Sequence, residues 1–150
     1  NEWEIASGVP HIPFEALDAD YEIAKEAYLE YFRKMHQLFP KCKKMLMAVR
    51  NQIASSHHTL SGLLYDAVED QLYTTRIYDI EPIVDPMGVG DAFIAAYIHA
   101  HQKWGDKNQY CLDFSLSASA IKNTVPGDQN LVTEEEIINN MTSSGGRIQR

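Results

Sequence analysis

The sequence predicts an α/β chain, a mostly parallel sheet flanked by helices and carrying one hairpin, and three observations lead to that expectation. Met45-Leu46-Met47-Ala48-Val49 is a continuous apolar run of the kind found in strands buried on both faces. Segments of helical periodicity lie before and after it in the chain. A short strand-like stretch ending at Ile83 and Val84 passes through a glycine turn directly into a helix, the order in which βα units are built.

Taken in order, the first clear element runs from about Asp20 to Phe39, where Ala24, Ala27, Tyr28, Tyr31, Met35 and Leu38 recur at three- and four-residue spacing. Asp18 or Asp20 can cap it, Pro40 stops it, and its tyrosines are core residues by spacing. The apolar strand 45–49 follows, bounded by Lys44 and Arg50, and then Asn51 to Thr59, polar enough to read as a loop. Two β-rich stretches, 61–65 and 71–75, flank Val68-Glu69-Asp70 and predict a hairpin. A short strand at 80–84 leads to the glycine turn, and helices are expected over 91–103 and 109–123. The second of these is smooth, with Ser115, Ser117, Ala118, Ser119 and Ala120, so it can pack closely against a sheet or a ligand. Thr133 and Glu136 form a capping box for a last helix ending near Met141. No repeat, low-complexity tract or linker divides the chain, which reads as one domain over 1–150.

Composition narrows the classes of function. Thirteen Lys and Arg against 21 Asp and Glu give a formal charge of −8, which excludes a general nucleic-acid surface. An acidic chain can still hold phosphates through backbone amides, a few basic side chains and magnesium. Cys42 and Cys111 form no motif and are expected to be reduced, buried thiols. No apolar stretch is long enough to span a bilayer and no signal peptide is recognisable, so a cytoplasmic protein without a membrane partner is expected. The histidine pairs His57/His58 and His99/His101 lack ligand spacing on a shared face and read as surface or partly buried residues.

The chemistry concentrates in Asp85-Pro86-Met87-Gly88-Val89-Gly90-Asp91-Ala92-Phe93. Gly88 and Gly90 permit dihedrals and approaches that a Cβ forbids, so successive N–H groups can converge on one anion. The helix start adds unpaired N–H groups and the positive end of its dipole. A carboxylate at the same turn would repel phosphate unless a proton acceptor were needed there, which makes Asp91 a candidate general base. The plainer alternative is that Asp85 and Asp91 only cap the turn and the helix. A dinucleotide fingerprint is disfavoured because its third glycine would fall at Phe93.

These nine residues resemble the carboxy-terminal signature of the ribokinase-like (PfkB) carbohydrate kinases, Asp-Thr-x-Gly-Ala-Gly-Asp-x-Phe, with Pro86 and Val89 as the departures. The resemblance implies a ribokinase-like fold, an anion hole formed by Gly88, Val89, Gly90 and Asp91, and proton abstraction from a sugar hydroxyl by Asp91. Asn1-Glu2-Trp3-Glu4 is similar to the family's Asn-x-x-Glu motif, which implies that Asn1 and Glu4 organise Mg2+, directly or through water, near the phosphates of ATP. The segment 118–128, with Lys122-Asn123-Thr124 and Gly127-Asp128, and the tail 144–150 resemble the 2-dehydro-3-deoxygluconate kinase branch. Asn123 is the resulting candidate for a nucleotide contact. Arg50, at the end of the predicted strand, is a candidate phosphate contact or, equally, a solvated strand-end charge.

The implied activity is ATP-dependent phosphorylation of a sugar, 2-dehydro-3-deoxygluconate by branch. Open alternatives are another acceptor such as fructose, ribose or adenosine, or a nucleotide-binding module without catalysis. The resemblance starts at Asn1, so the chain is expected to be the nucleotide-binding, carboxy-terminal part of such a kinase, inactive alone, with the sugar-binding part and lid elsewhere. An unpaired sheet edge is expected where they would join, and a homo-oligomer is expected for the full-length form.

Overall fold

The computed structural model describes residues 2–10, 12 and 22–143. Asn1, the proposed caps Asp18 and Asp20, and the tail 144–150 lie outside the described residues. The elements run α1 (Glu2–Ser7), α2 (Lys25–Leu38), β1 (Lys44–Ala54), β2 (His57–Asp66), β3 (Gln71–Thr74), β4 (Tyr78–Ile80), α3 (Val89–Trp104), α4 (Asn108–Lys122) and α5 (Glu134–Thr142). The α/β class follows the expectation; the direction of the strands does not.

Among the described residues every strand pairing is antiparallel. The reason is local. β1 does not end at Arg50 but continues through Ala54, turns at Ser55 and Ser56, and returns as β2 with Lys44 opposite Asp66 and Asn51 opposite Thr59. A parallel pair needs a crossover of about a dozen residues or more, and only Ser55 and Ser56 separate β1 from β2. The predicted loop at 51–59 is therefore the closing half of a hairpin. The second hairpin lies where it was expected, with Leu63 opposite Thr74 and Asp66 opposite Gln71, and Asp70 turns the chain with φ 53°. β4 pairs with the opening residues of β2, His58 to Leu60, and stops at Ile80, so the strand expected to reach Val84 is shorter.

β2 is the centre of the sheet and is buried from His58 to Asp66 because helices cover both of its faces. Side chains alternate between faces along a strand. Leu63 and Tyr65, with Val49 of β1, pack against Tyr28, Tyr31, Phe32 and Met35 of α2, and the Phe32 and Tyr65 rings stack 5.8 Å apart. Leu60 and Leu64 face the other way, with Tyr78 and Ile80 of β4, onto Phe93 and Tyr97 of α3 and Leu112, Leu116 and Ile121 of α4. Fully burying side chains of this size stabilises a fold by roughly 1.5–3 kcal/mol each. The smooth residues of α4 serve the same end, since Ser115 through Ala120 are all buried between sheet and neighbouring helices. The capping box of α5 is present, Thr133 accepting from the Glu136 amide while the Glu136 carboxylate accepts from the Thr133 amide. Cys111 is buried as expected, whereas Cys42 is exposed. No helix among the described residues is long and apolar enough to cross a membrane.

Candidate phosphate site at the start of α3

The segment between β4 and α3 is tied down along its length. The Val84 amide donates to the Asn123 carbonyl at 2.8 Å, and the Asp85 amide donates to the same oxygen at 3.2 Å. The Asp85 carboxylate then accepts from the Met87 amide at 2.9 Å and, across the gap between two turns, from the Gly127 amide at 2.8 Å. These two amides, Met87 first, hold the Asp85 carboxyl below the usual carboxylate range, and the charge of Lys122 adds to them. Asp85 thus works as a clasp between the turn 84–88 and the turn 123–128.

Gly88 follows as the N-cap of α3, with φ 74° and ψ 4°, a left-handed conformation. A Cβ there would run into the main-chain carbonyl of Asp128, so both the dihedral and the close approach require glycine. The first intrahelical bond is Ala92 N–H to the Gly88 carbonyl, 2.9 Å. The amides of Val89, Gly90 and Asp91 precede it and have no acceptor inside the helix, and no side chain caps this end. Gly90 and Asp91 are exposed, and a Cβ on Gly90 would meet nothing within 4 Å. Open space, unspent donors and the positive end of a 16-residue helix suit a phosphate. The Ser119 hydroxyl donates to the Val89 carbonyl at 3.0 Å and anchors this first turn to α4.

The structure therefore brings together Gly88, Val89, Gly90 and Asp91, with Asn123 directly behind them. Asn123 is fully buried, its amide group donating to the Ser119 carbonyl at 3.0 Å, and what it presents to the glycine turn is its main-chain oxygen. Arg50 lies in the middle of β1, not at a strand end, because the strand continues to Ala54; its side chain is exposed. Its charge acts on the His58 imidazole of β2. Glu4 stands beside Tyr31 of α2, whose hydroxyl is pushed up first by burial and second by the Glu4 charge. That is the side of the sheet away from α3.

Two residues here have no site role in the reading of the sequence. Lys122 is fully buried behind the site, and its signal was spacing, since it continues the stripe Cys111, Ser115, Ala118 along α4. His58, read as surface or partly buried, is 4% exposed, and neither its Nε2 nor the Oδ1 of Asn123 has a hydrogen-bond partner among the described residues. Its neighbour His57 does pair, with Asp79 at 2.6 Å.

Burial first, and the Arg50 charge next, hold the His58 imidazole down to about 4 against an ordinary value of 6.5, although the Asn123 side chain acts the other way. The unfolded chain then takes up a proton at a pH where the folded chain refuses it. The stability this provides is complete above pH 6.5 and is lost as pH falls from 6.5 towards 4. At about 1.4 kcal/mol per unit the loss is on the order of 3 kcal/mol. Urea midpoints of the protein and of His58→Gln at pH 7, 5 and 4 check this: the acid-side loss is expected to shrink in the variant, and an unchanged profile would refute it.

Comparison with known proteins bears on the fold. No family model matches the sequence, and no curated protein does either. Among solved structures, a 2-dehydro-3-deoxygluconokinase from Thermotoga maritima superposes with a TM-score of 0.74 and 25% identity over 84% of this chain. A PfkB family carbohydrate kinase from Listeria grayi gives 0.72 and 27% over 83%. The chain has the ribokinase-like fold that these carbohydrate kinases share. A third structure, from Enterococcus faecalis, at 0.68 and 18% identity over 93% of the chain, shows the same fold. The chain spans little more than a third of these proteins, 37%, 36% and 38% of their respective lengths.

Proposed function

We propose that this chain is the nucleotide-binding part of an ATP-dependent carbohydrate kinase, and that the start of α3 is where phosphoryl transfer takes place. The observation that supports it is the conjunction at one turn of three uncapped amides, open space at Gly90 and an exposed carboxylate at Asp91. The amides of Val89, Gly90 and Asp91 would stabilise negative charge on the transferred group, and Asp91 would take the proton of the attacking hydroxyl. Asn123 positions the turn through its carbonyl instead of touching the nucleotide, and Arg50 is left as a candidate for contact with the distal phosphates.

Magnesium would neutralise phosphate charge when bound. Among the described residues no three His, Cys, Asp or Glu side chains converge on a point. The two residues that the resemblance offers do not meet the ion at this turn, since Glu4 stands beside Tyr31 on the far side of the sheet and Asn1 lies outside the described residues; ligands for the ion would be phosphate oxygens and water, as suits a small hard cation. The sugar-binding part would continue the sheet along β1, an edge strand flanked by an apolar groove of about 320 Å³ between Met35, Phe39, Met45 and Met47.

The acceptor we propose is 2-dehydro-3-deoxygluconate, on the motifs at 118–128 and the name of the Thermotoga neighbour. An ATP-consumption assay on a polypeptide joining this chain to the sugar-binding part tests it, with fructose, ribose and adenosine as competitors. Turnover on the keto-deoxy acid is expected. Turnover on another acceptor alone would refute the substrate, and ATP binding with no turnover on any acceptor would favour a nucleotide-binding module.

A further inference from the structure

Lysine is among the residues least often buried unless paired, yet Lys122 has no exposed surface. Its Nζ donates to the Val125 carbonyl at 3.0 Å, its one hydrogen-bond partner among the described residues. A buried cation in that state is costly unless other charges and dipoles compensate it. The compensation is found where the turns 84–88 and 123–128 meet.

Each turn contributes to that joint. The Val84 and Asp85 amides reach the Asn123 carbonyl, Gly127 N–H reaches the Asp85 carboxylate, and Gly88 lies against the Asp128 carbonyl. The Lys122 ammonium is bonded to the Val125 carbonyl of the second turn, and its charge adds to the two amides that hold the Asp85 carboxyl of the first below the usual carboxylate range. We infer that Lys122 is a positioning residue, an internal cation that pins the turn 123–128 at Val125, so that the bond from Gly127 to the Asp85 carboxylate holds it against the turn 84–88 and fixes the aim of the amides at 89–91. This deepens the proposed function and rests on the reading of those amides as the phosphate site.

The joint can be read without nucleotide, by amide hydrogen exchange over the whole chain. Lys122→Met keeps most of the side-chain volume and removes the charge. Exchange at the Val84, Asp85 and Gly127 amides is expected to accelerate at least ten-fold while the core amides of β2 and α4 keep their rates. Lys122→Ala should show the same loosening, reversed by millimolar n-propylammonium, which restores a cation to the space. Asp85→Asn, which leaves Lys122 in place, should loosen the same amides and guards against a lysine variant that fails to fold. Unchanged exchange at the three amides, or equal acceleration throughout the core, would overturn the inference. In the complete kinase, Lys122→Met should raise KM for ATP, and a loosened joint with an unchanged KM would also overturn it. A fully active Asp91→Asn enzyme would instead refute the phosphate-site reading and leave the exchange result standing.

Discussion

Asp91→Asn in the complete kinase is expected to lower kcat by 10²- to 10⁴-fold, the range a positioned general base supplies, with little change in KM for ATP. Asn keeps the shape of the side chain and its ability to accept one hydrogen bond, so the first turn of α3 is expected to survive. It cannot accept the hydroxyl proton. Removing a carboxylate from a helix N-terminus forfeits a favourable dipole interaction of some tenths of a kcal/mol, but it also removes the charge that repels phosphate. Nucleotide affinity should therefore hold or improve. Steady-state kinetics together with direct ATP titration separate the two effects, and a variant turning over at the wild-type rate would eliminate Asp91 as the base. A plain capping role predicts the reverse pattern, lower stability with normal turnover.

What could be read in the sequence was whatever is encoded locally. The capping box at Thr133 and Glu136, the turn 68–70 and the glycine turn all depend on residues within a few positions of one another, and the structure has each of them. The strand direction depended on 51–61, where hydropathy misleads. Asn51, His58, Thr59 and Ser61 are buried though polar, while Arg50 and Gln52 of the same hairpin face solvent from an edge strand. The alternation of a half-covered strand is present, but its buried positions carry polar side chains, so the segment resembled a loop. Of the candidate site, Gly88 to Asp91 stood out because a turn with a left-handed residue needs glycine and an anion site needs free amides. Asn123, His58 and Lys122 act through tertiary contacts with segments far away in the chain, and a single sequence carries little trace of those.

Gly88 and Gly90 are expected to separate folding from function. At Gly88, alanine must occupy a left-handed conformation, at about 1–2 kcal/mol, and its methyl would be driven into the Asp128 main-chain carbonyl. A carbonyl in a bonded turn cannot swing aside as a flexible side chain could, so 84–88 or 123–128 must shift, and the Asp85 clasp on Gly127 is strained with them. The total loss for Gly88→Ala is expected at roughly 3 kcal/mol or more, in the range of the more damaging single substitutions, visible as a lower urea midpoint without any ligand. Gly90 is helical, and a methyl added there would have nothing within 4 Å. Gly90→Ala should leave stability unchanged or raise it by up to about 1 kcal/mol, the helix preference of alanine over glycine. The same methyl would project into the space assigned to the phosphoryl group, so ATP affinity or turnover should fall although the fold is intact. If Gly90→Ala were as active as the parent, the phosphate could not lie over that residue, and the anion site would have to be sought elsewhere along the turn.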